Sequence, residues 1–203
     1  MRHILVTGFE PFAGDSVNPS QELAKALDGR RFGALTVRSA ILPVQHEAAR
    51  DAVTPLLTEP GLEAVVQLGL ANGRARIAVE CVGVNVLDYR LPDAHGDVLQ
   101  GVPCVPGGPA AYWSTLPVRD IVEALTGAGI PAYLSYTAGT YLCNFTLYST
   151  LHTLGQRGSA VRAGFIHVPF LPAMVAAHGL EEPSMDLGLS LRAVETALDV
   201  VAG

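Results

Sequence analysis

As far as Gly69 the chain alternates apolar runs with helix signals, and that order limits the fold more than any other feature. Ile4-Leu5-Val6 is a continuous apolar run, as a strand covered on both faces requires. Asn18-Pro19-Ser20-Gln21 reads as a helix start, with Asn18 as N-cap, Pro19 at the first helical position and Gln21 closing a box-like cap. Gly29 then ends that helix after Leu27. Leu35 to Ile41 alternates like a strand, and Val44 to Leu57 has helical periodicity that Pro55 should break near Thr54. Ala64 to Leu68 gives another apolar strand. This β-α-β-α-β order predicts an open, twisted, mostly parallel sheet with helices on both faces, a three-layer α/β/α sandwich.

Beyond Gly69 the pattern loosens. Ile77 to Val86 reads as extended, whereas Leu87 to Pro117 is dense in Gly and Pro and shows no clear element. A connection of that length in a compact chain points to a functional loop. Pro117 to Leu125 is helical in pattern, and Ile130 to Tyr136 has the content of a buried strand. Leu147, Tyr148, Leu151 and Leu154 recur at helical spacing, with Thr146, Ser149, Thr150 and Thr153 placed elsewhere on that helix. Val161 to Val168 is a last strand stopped by Pro169, and Leu187 to Val201 a terminal amphipathic helix begun by Ser184 or Asp186. With no repeat or linker, residues 1–203 read as one domain.

A net charge of -6 and the lack of a Lys/Arg cluster argue against nucleic acid as a partner. Cys81, Cys104 and Cys143 are odd in number and lack C-x-x-C spacing, so neither a disulfide framework nor a metal site is expected. The first residues read as a strand rather than a leader, and no apolar run has the length of a membrane span. The expected location is the cytoplasm, where thiols stay reduced.

Cys143 falls where the Ile130 strand, after the small-residue turn Thr137-Ala138-Gly139-Thr140, gives way to a helix. Unpaired backbone N–H groups and the helix dipole favour a thiolate there, although a lone cysteine beside a strand can equally be core packing. A thiol nucleophile needs a base and a group that orients the base. Of six histidines, His167 ends a strand just before Pro169, and His95 in the long loop is the runner-up. The turns after strand carboxyl ends form the ligand crevice of an open α/β sheet, which favours His167; a structural histidine is the alternative. Glu80 lies in the apolar run I-A-V-E-C-V, where a carboxylate is costly unless partnered, or else faces water on an edge strand. Cys81 falls on the opposite face as core filling. Arg90 could donate to a developing oxyanion, or pair on the surface with Asp88 or Asp93. Gly8 to Gly14 lacks both phosphate-loop patterns and carries Glu10, so it is a poor anion cradle.

The blocks V-T-G-F-E-P-F-A-G, N-P-S, L-G-L-A-N-G-R, Y-R-L-P-D, G-G-P-A-A-Y-W, S-Y-T-A-G-T-Y-L-C-N and G-F-I-H-V-P-F-L-P resemble the pyroglutamyl peptidase type I family of cysteine peptidases. The resemblance runs from Ile4 to about Pro172, in consistent order and spacing. It implies removal of an N-terminal pyroglutamyl residue from peptides by a Cys-His-Glu triad on an α/β/α sandwich. On the matching positions Cys143 is the nucleophile, His167 the base and later acid, and Glu80 the orienting carboxylate. Arg90, with the Cys143 amide, would form the oxyanion hole, and Phe9 and Phe12 would line the pyroglutamyl pocket. The family needs no cofactor, is cytosolic and is often tetrameric. Tyr141 and Leu142 stand where the family commonly has Phe and Val, and Leu70 where many relatives have Gln. These departures are expected to alter the pocket wall. Ala94-His95 replaces the usual Asn-Glu and is expected to touch only loop packing.

Overall fold

A computed structural model describes residues 1–203. Its elements, in order, are β1 (His3–Phe9), α1 (Pro19–Leu27), β2 (Arg31–Phe32), β3 (Leu35–Leu42), α2 (His46–Val53), β4 (Leu62–Leu70), β5 (Ile77–Glu80), β6 (Val82–Val84), β7 (Ala111–Trp113), α3 (Val118–Gly127), β8 (Ala132–Ser135), α4 (Leu142–Gln156), β9 (Arg162–Val168), α5 (Pro172–His178) and α6 (Leu187–Ala202). Seven strands form one sheet in the order β2-β3-β1-β4-β9-β5-β8, and β6 and β7 form a separate antiparallel ribbon.

Both faces of the sheet are buried, which is why its central strands read as unbroken apolar runs. Ile4, Val6, Val66, Leu68 and Ile166 pack against Leu23 and Leu27 of α1, Ile121 and Leu125 of α3, and Val194 and Leu198 of α6. Leu5, Val65, Ala163 and Phe165 point the other way, to Ala49 and Val53 of α2 and to Phe145, Leu147 and Leu151 of α4. The three-layer mixed, mostly parallel architecture is thus as the sequence pattern predicts.

Strand direction is not uniform, however. β1, β3, β4 and β9 run parallel to their neighbours in that group, but β5 is antiparallel to β9, and β8 is parallel to β5. The carboxyl ends of β8 and β9 therefore do not share one edge. Cys143 and His167 cannot meet as two strand-end turns in a common crevice. They meet because α4 lies across the sheet face.

Two smaller expectations are also corrected. The extended run from Ile77 splits at Cys81, where β6 leaves the main sheet to pair with β7, an element hidden within the Gly- and Pro-rich stretch. That ribbon and α2 pack on α4 from the side away from the sheet, and Thr146, Ser149 and Thr150 are all buried. Their hydroxyls find partners inside, as buried polar groups must: Thr146 Oγ1 donates to the Cys143 carbonyl at 3.1 Å, and Thr150 Oγ1 accepts from Gln67 Nε2 at 3.1 Å. Gln21 closes no capping box. Ser20 does the local work instead, its Oγ accepting from Phe9 N at 3.0 Å and donating to Asn18 Oδ1 at 2.8 Å. Asn18 caps α1 as expected, and its Nδ2 donates to the Glu10 carbonyl at 3.0 Å. α2 breaks at Thr54 ahead of Pro55, and Asp186 rather than Ser184 caps α6.

The Asn18–Ser20 cluster ties the turn after β1 to the start of α1, and so fixes Phe9 and Phe12. It depends on close approach of the two backbones at Gly8, where an added Cβ would lie 2.2 Å from the Ser20 carbonyl oxygen. Backbone cannot yield as a side chain can. Gly8→Ala is expected to lower stability by about 1–3 kcal/mol in chemical unfolding; a change under about 0.5 kcal/mol would contradict this packing.

Candidate active site

Cys143 is the second residue of α4, and Tyr141 at the N-cap offers no side-chain cap. The first amide to find a backbone acceptor is that of Phe145, to the Tyr141 carbonyl at 3.0 Å. The amides before it, including that of Cys143, face forward from the positive end of a fifteen-residue helix. The turn leading in is pinned to the long loop, Asp88 N donating to the Thr140 carbonyl at 2.9 Å and Thr140 Oγ1 to the Asp88 carbonyl at 2.8 Å.

His167 is the next-to-last residue of β9 and pairs with Ala78, while Phe165 pairs with Glu80. Residues directly opposite, and two apart, share a face of the sheet, so His167 and Glu80 are diagonal neighbours. His167 Nδ1 and Glu80 Oε1 lie 2.8 Å apart. Because an ionised carboxylate only accepts, Nδ1 carries the proton, and Nε2 is left for the sulfur. The Phe165 ring centroid lies 4.7 Å from that of His167 and braces it. Burial alone would push the His167 pKa down, but the Cys143 sulfur and the Glu80 carboxylate outweigh it and raise it from 6.5 to about 9. The sulfur and the carboxylate thus favour the imidazolium form of His167.

Glu80 is 0% exposed, which rules out an edge strand facing water. Its Oε1 also accepts from Arg74 Nη1 at 2.9 Å. Arg74, in L-G-L-A-N-G-R, went unnoticed in the sequence; the signal was Glu80 itself, since a carboxylate in an apolar run calls for a cation. Gly69 of β4, paired with His167, was likewise missed. A Cβ there would stand 2.7 Å from the Phe165 ring and 3.0 Å from Cys143 Sγ, so only glycine leaves room for the sulfur.

Cys143 and His167 open into a cavity of about 400 Å³ whose lining includes Phe9, Phe12, Leu70, Tyr141 and Leu142. All five expected pocket residues are therefore present. Tyr141 is held by an edge-on contact with Tyr89, ring centroids 4.5 Å apart, and by its hydroxyl donating to the Pro92 carbonyl at 3.2 Å. Ala94 and His95 lie outside the cavity lining.

Arg90 is exposed and lines a neighbouring cleft with Asp88, Leu91 and Tyr141, so the cation within the cavity is Arg74. The first amides of α4 lie beside the thiol as donors. Asp93 is not Arg90's partner, being buried against His46 at 3.6 Å. His95, the runner-up base, is on the surface loop, and His152 bonds to Tyr112 at 3.0 Å. His46, Asp93 and Asp97 could place ligand atoms within 4.8 Å of one another, a grouping that includes none of Cys143, His167 and Glu80.

A family model described as pyroglutamyl peptidase matches residues 2–203. The chain belongs to that family. A pyrrolidone-carboxylate peptidase of Gloeobacter violaceus is 46% identical over 198 residues, 98% of this chain and 96% of that protein. One from Pyrococcus furiosus is 42% identical over 200 residues, 97% and 96% of the two chains. Among solved structures, pyrrolidone carboxyl peptidase from Thermococcus litoralis superposes with a TM-score of 0.94 at 42% identity, covering 98% of this chain and 93% of that one. A mutant of the Pyrococcus furiosus peptidase gives 0.94 at 40% identity, covering 98% and 97%. The family fold and this fold therefore agree along almost the whole chain.

Gly69→Ala tests whether the sulfur and imidazole need the space that glycine leaves. About a tenfold or greater loss of kcat/KM is expected, with Tm lowered only modestly. Wild-type activity in that variant would show that the sulfur has room to spare.

Proposed function

We propose that this chain is a cysteine exopeptidase that hydrolyses the amide bond after an N-terminal pyroglutamyl residue. The observation that carries the reading is the Glu80–His167–Cys143 line, buried at one end and opening into an apolar cavity at the other.

The cavity suits a neutral lactam. Pyroglutamate has no α-ammonium group, and Phe9, Phe12 and Leu70 can bury its ring. A free N-terminal ammonium would lose several kcal/mol of hydration on entry. The one carboxylate in the lining, Asp15, is engaged with His178 Nε2 at 2.6 Å and leaves little to offset that loss.

In the reaction, the Cys143 thiolate adds to the pyroglutamyl carbonyl carbon, and the negative oxygen that forms turns to the first amides of α4. His167 Nε2–H gives its proton to the peptide nitrogen, the C–N bond breaks, and a pyroglutamyl thioester remains. The shortened peptide leaves. His167, now neutral, takes a proton from water as that water adds to the thioester. Pyroglutamate is released, and sulfur and imidazole regain their starting charges. Glu80 holds Nδ1–H throughout and keeps Nε2 aimed at the sulfur. By resemblance to the family the reading extends to a cytoplasmic homotetramer needing no cofactor; no helix is long and apolar enough to cross a membrane.

Cys143→Ser and Cys143→Ala should each lose release of a fluorophore from a pyroglutamyl amide by about a thousandfold or more. Retained turnover would remove Cys143 from the chemistry, and preference for prolyl or glutaminyl amides would name a different acyl group. The raised His167 pKa fixes the sign of the pH dependence. Below about 9 the imidazolium is present to protonate the leaving amine, and above it that proton is gone. A profile of kcat/KM is expected to fall as pH rises through about 9, and a fall centred near 6.5 would contradict the ion pair.

A further inference from the structure

The acyl-enzyme cycle leaves one charge problem unsolved by Cys143, His167 and Glu80 alone. In the cycle proposed above the three act in the free enzyme as thiolate, imidazolium and carboxylate, one negative charge in net. In the thioester the sulfur is neutral and His167 has given up its proton, so the same three again carry one net negative charge. That charge sits on Glu80, which is 0% exposed. A buried carboxylate without a counter-charge takes up a proton. A proton taken up by the Glu80–His167 pair would block His167 from acting as base toward water.

Arg74 stands where this can be prevented. Its Nη1 lies 2.9 Å from Glu80 Oε1, the oxygen that also holds His167. The guanidinium is fixed from two further sides, Nη2 donating to the Thr137 carbonyl at 3.2 Å and Nη1 reaching Ser135 Oγ at 3.4 Å. Those partners lie at the end of β8 and in the turn that leads to Cys143, and the side chain is only 25% exposed. Arginine does not lose its proton at any pH the enzyme meets.

We propose that Arg74 is the standing counter-charge of the site: a positioning residue that keeps Glu80 ionised while His167 alternates between charged and neutral. With Arg74 counted, the four groups sum to zero in the free enzyme and again in the thioester. The proton balance is then the same in both halves of the cycle, and neutral His167 is available to deprotonate water. Without it both states hold an uncompensated negative charge. The free enzyme would regain a proton on sulfur, and the thioester one on the Glu80–His167 pair. Both changes move the pH at which the enzyme works upward. The proposal rests on Cys143 being the acylated nucleophile.

Arg74→Gln, which removes the charge, and Arg74→Lys, which keeps it but cannot span Glu80, Ser135 and Thr137 together, form the test. The first readout is the rate of Cys143 alkylation by iodoacetamide against pH, followed by mass spectrometry; Cys81 and Cys104 are buried. Arg74→Gln is expected to raise the midpoint by about one to two units, and Arg74→Lys to leave it near wild type. The second readout is pre-steady-state turnover of a pyroglutamyl amide near neutral pH. Arg74→Gln should show a burst of amine followed by slow hydrolysis, with kcat down about 10- to 100-fold and KM changed far less. Arg74→Lys should show no burst, although its Tm falls. An unshifted alkylation midpoint in Arg74→Gln overturns the proposal. So does a burst in Arg74→Lys, which decides the matter even if the glutamine variant cannot be obtained folded. Alkylation needs no pyroglutamyl substrate, so absence of wild-type turnover would sink the peptidase reading while Arg74 is still judged by its midpoint.

Discussion

A carboxylate with none of its surface in water has to be met by positive charge, and much of this fold is arranged to meet Glu80. On one side is the imidazole of His167 at 2.8 Å, on the other the guanidinium of Arg74 at 2.9 Å, both on the same oxygen. Removing either would strand a charge where solvation cannot help, and such stranding is far more destabilising than the loss of a surface ion pair. The interaction also does chemical work. It settles which nitrogen of His167 holds the proton, and so which one faces sulfur.

The antiparallel pairing of β5 with β9 sets this geometry. Because β5 is antiparallel, Glu80 is level with Phe165 and sits diagonally from His167 on the same face. α4 then crosses that face and sets Cys143 against the pair, with Gly69 leaving space for the sulfur. The β6–β7 ribbon covers the far side of α4, and Asn144 is stitched to it through Val84 N and the Val84 and Val86 carbonyls at 2.8–3.0 Å. The nucleophile's helix is therefore held on all sides, as a site that must keep sulfur and imidazole in register requires.

Local chemistry was readable from the residues, and long-range chemistry was not. Asn18 and Pro19 announce a helix start in any context, and Pro55 breaks one. Glu80 in an apolar run announces a buried partner without naming it. Cys143 at a strand-to-helix junction marks a candidate nucleophile, with core packing as the alternative. What the residues could not disclose was direction and cover. Nothing in Ile77 to Glu80 tells whether it runs with or against a strand almost ninety residues later. Thr146, Ser149 and Thr150 are all buried, though their polarity and spacing do not show what covers them. Arg74 and Gly69 gain their roles from partners distant in sequence, Ser135 and Cys143 among them. Arg90, assigned by resemblance, lines the cleft next to the cavity, a placement its sequence neighbours do not announce.

The chemistry requires that His167 be held as an imidazolium by the sulfur and carboxylate beside it. Nitrogen-15 NMR of histidine-labelled protein, titrated from acid to alkaline pH, reads that state directly. The ring of His167 should titrate near 9 in the native protein. In Cys143→Ala the largest favourable charge is gone and burial opposes the imidazolium, so the midpoint should drop markedly. A native midpoint at the ordinary value near 6.5, unmoved by removal of the sulfur, would contradict the ion pair and with it the proposed chemistry.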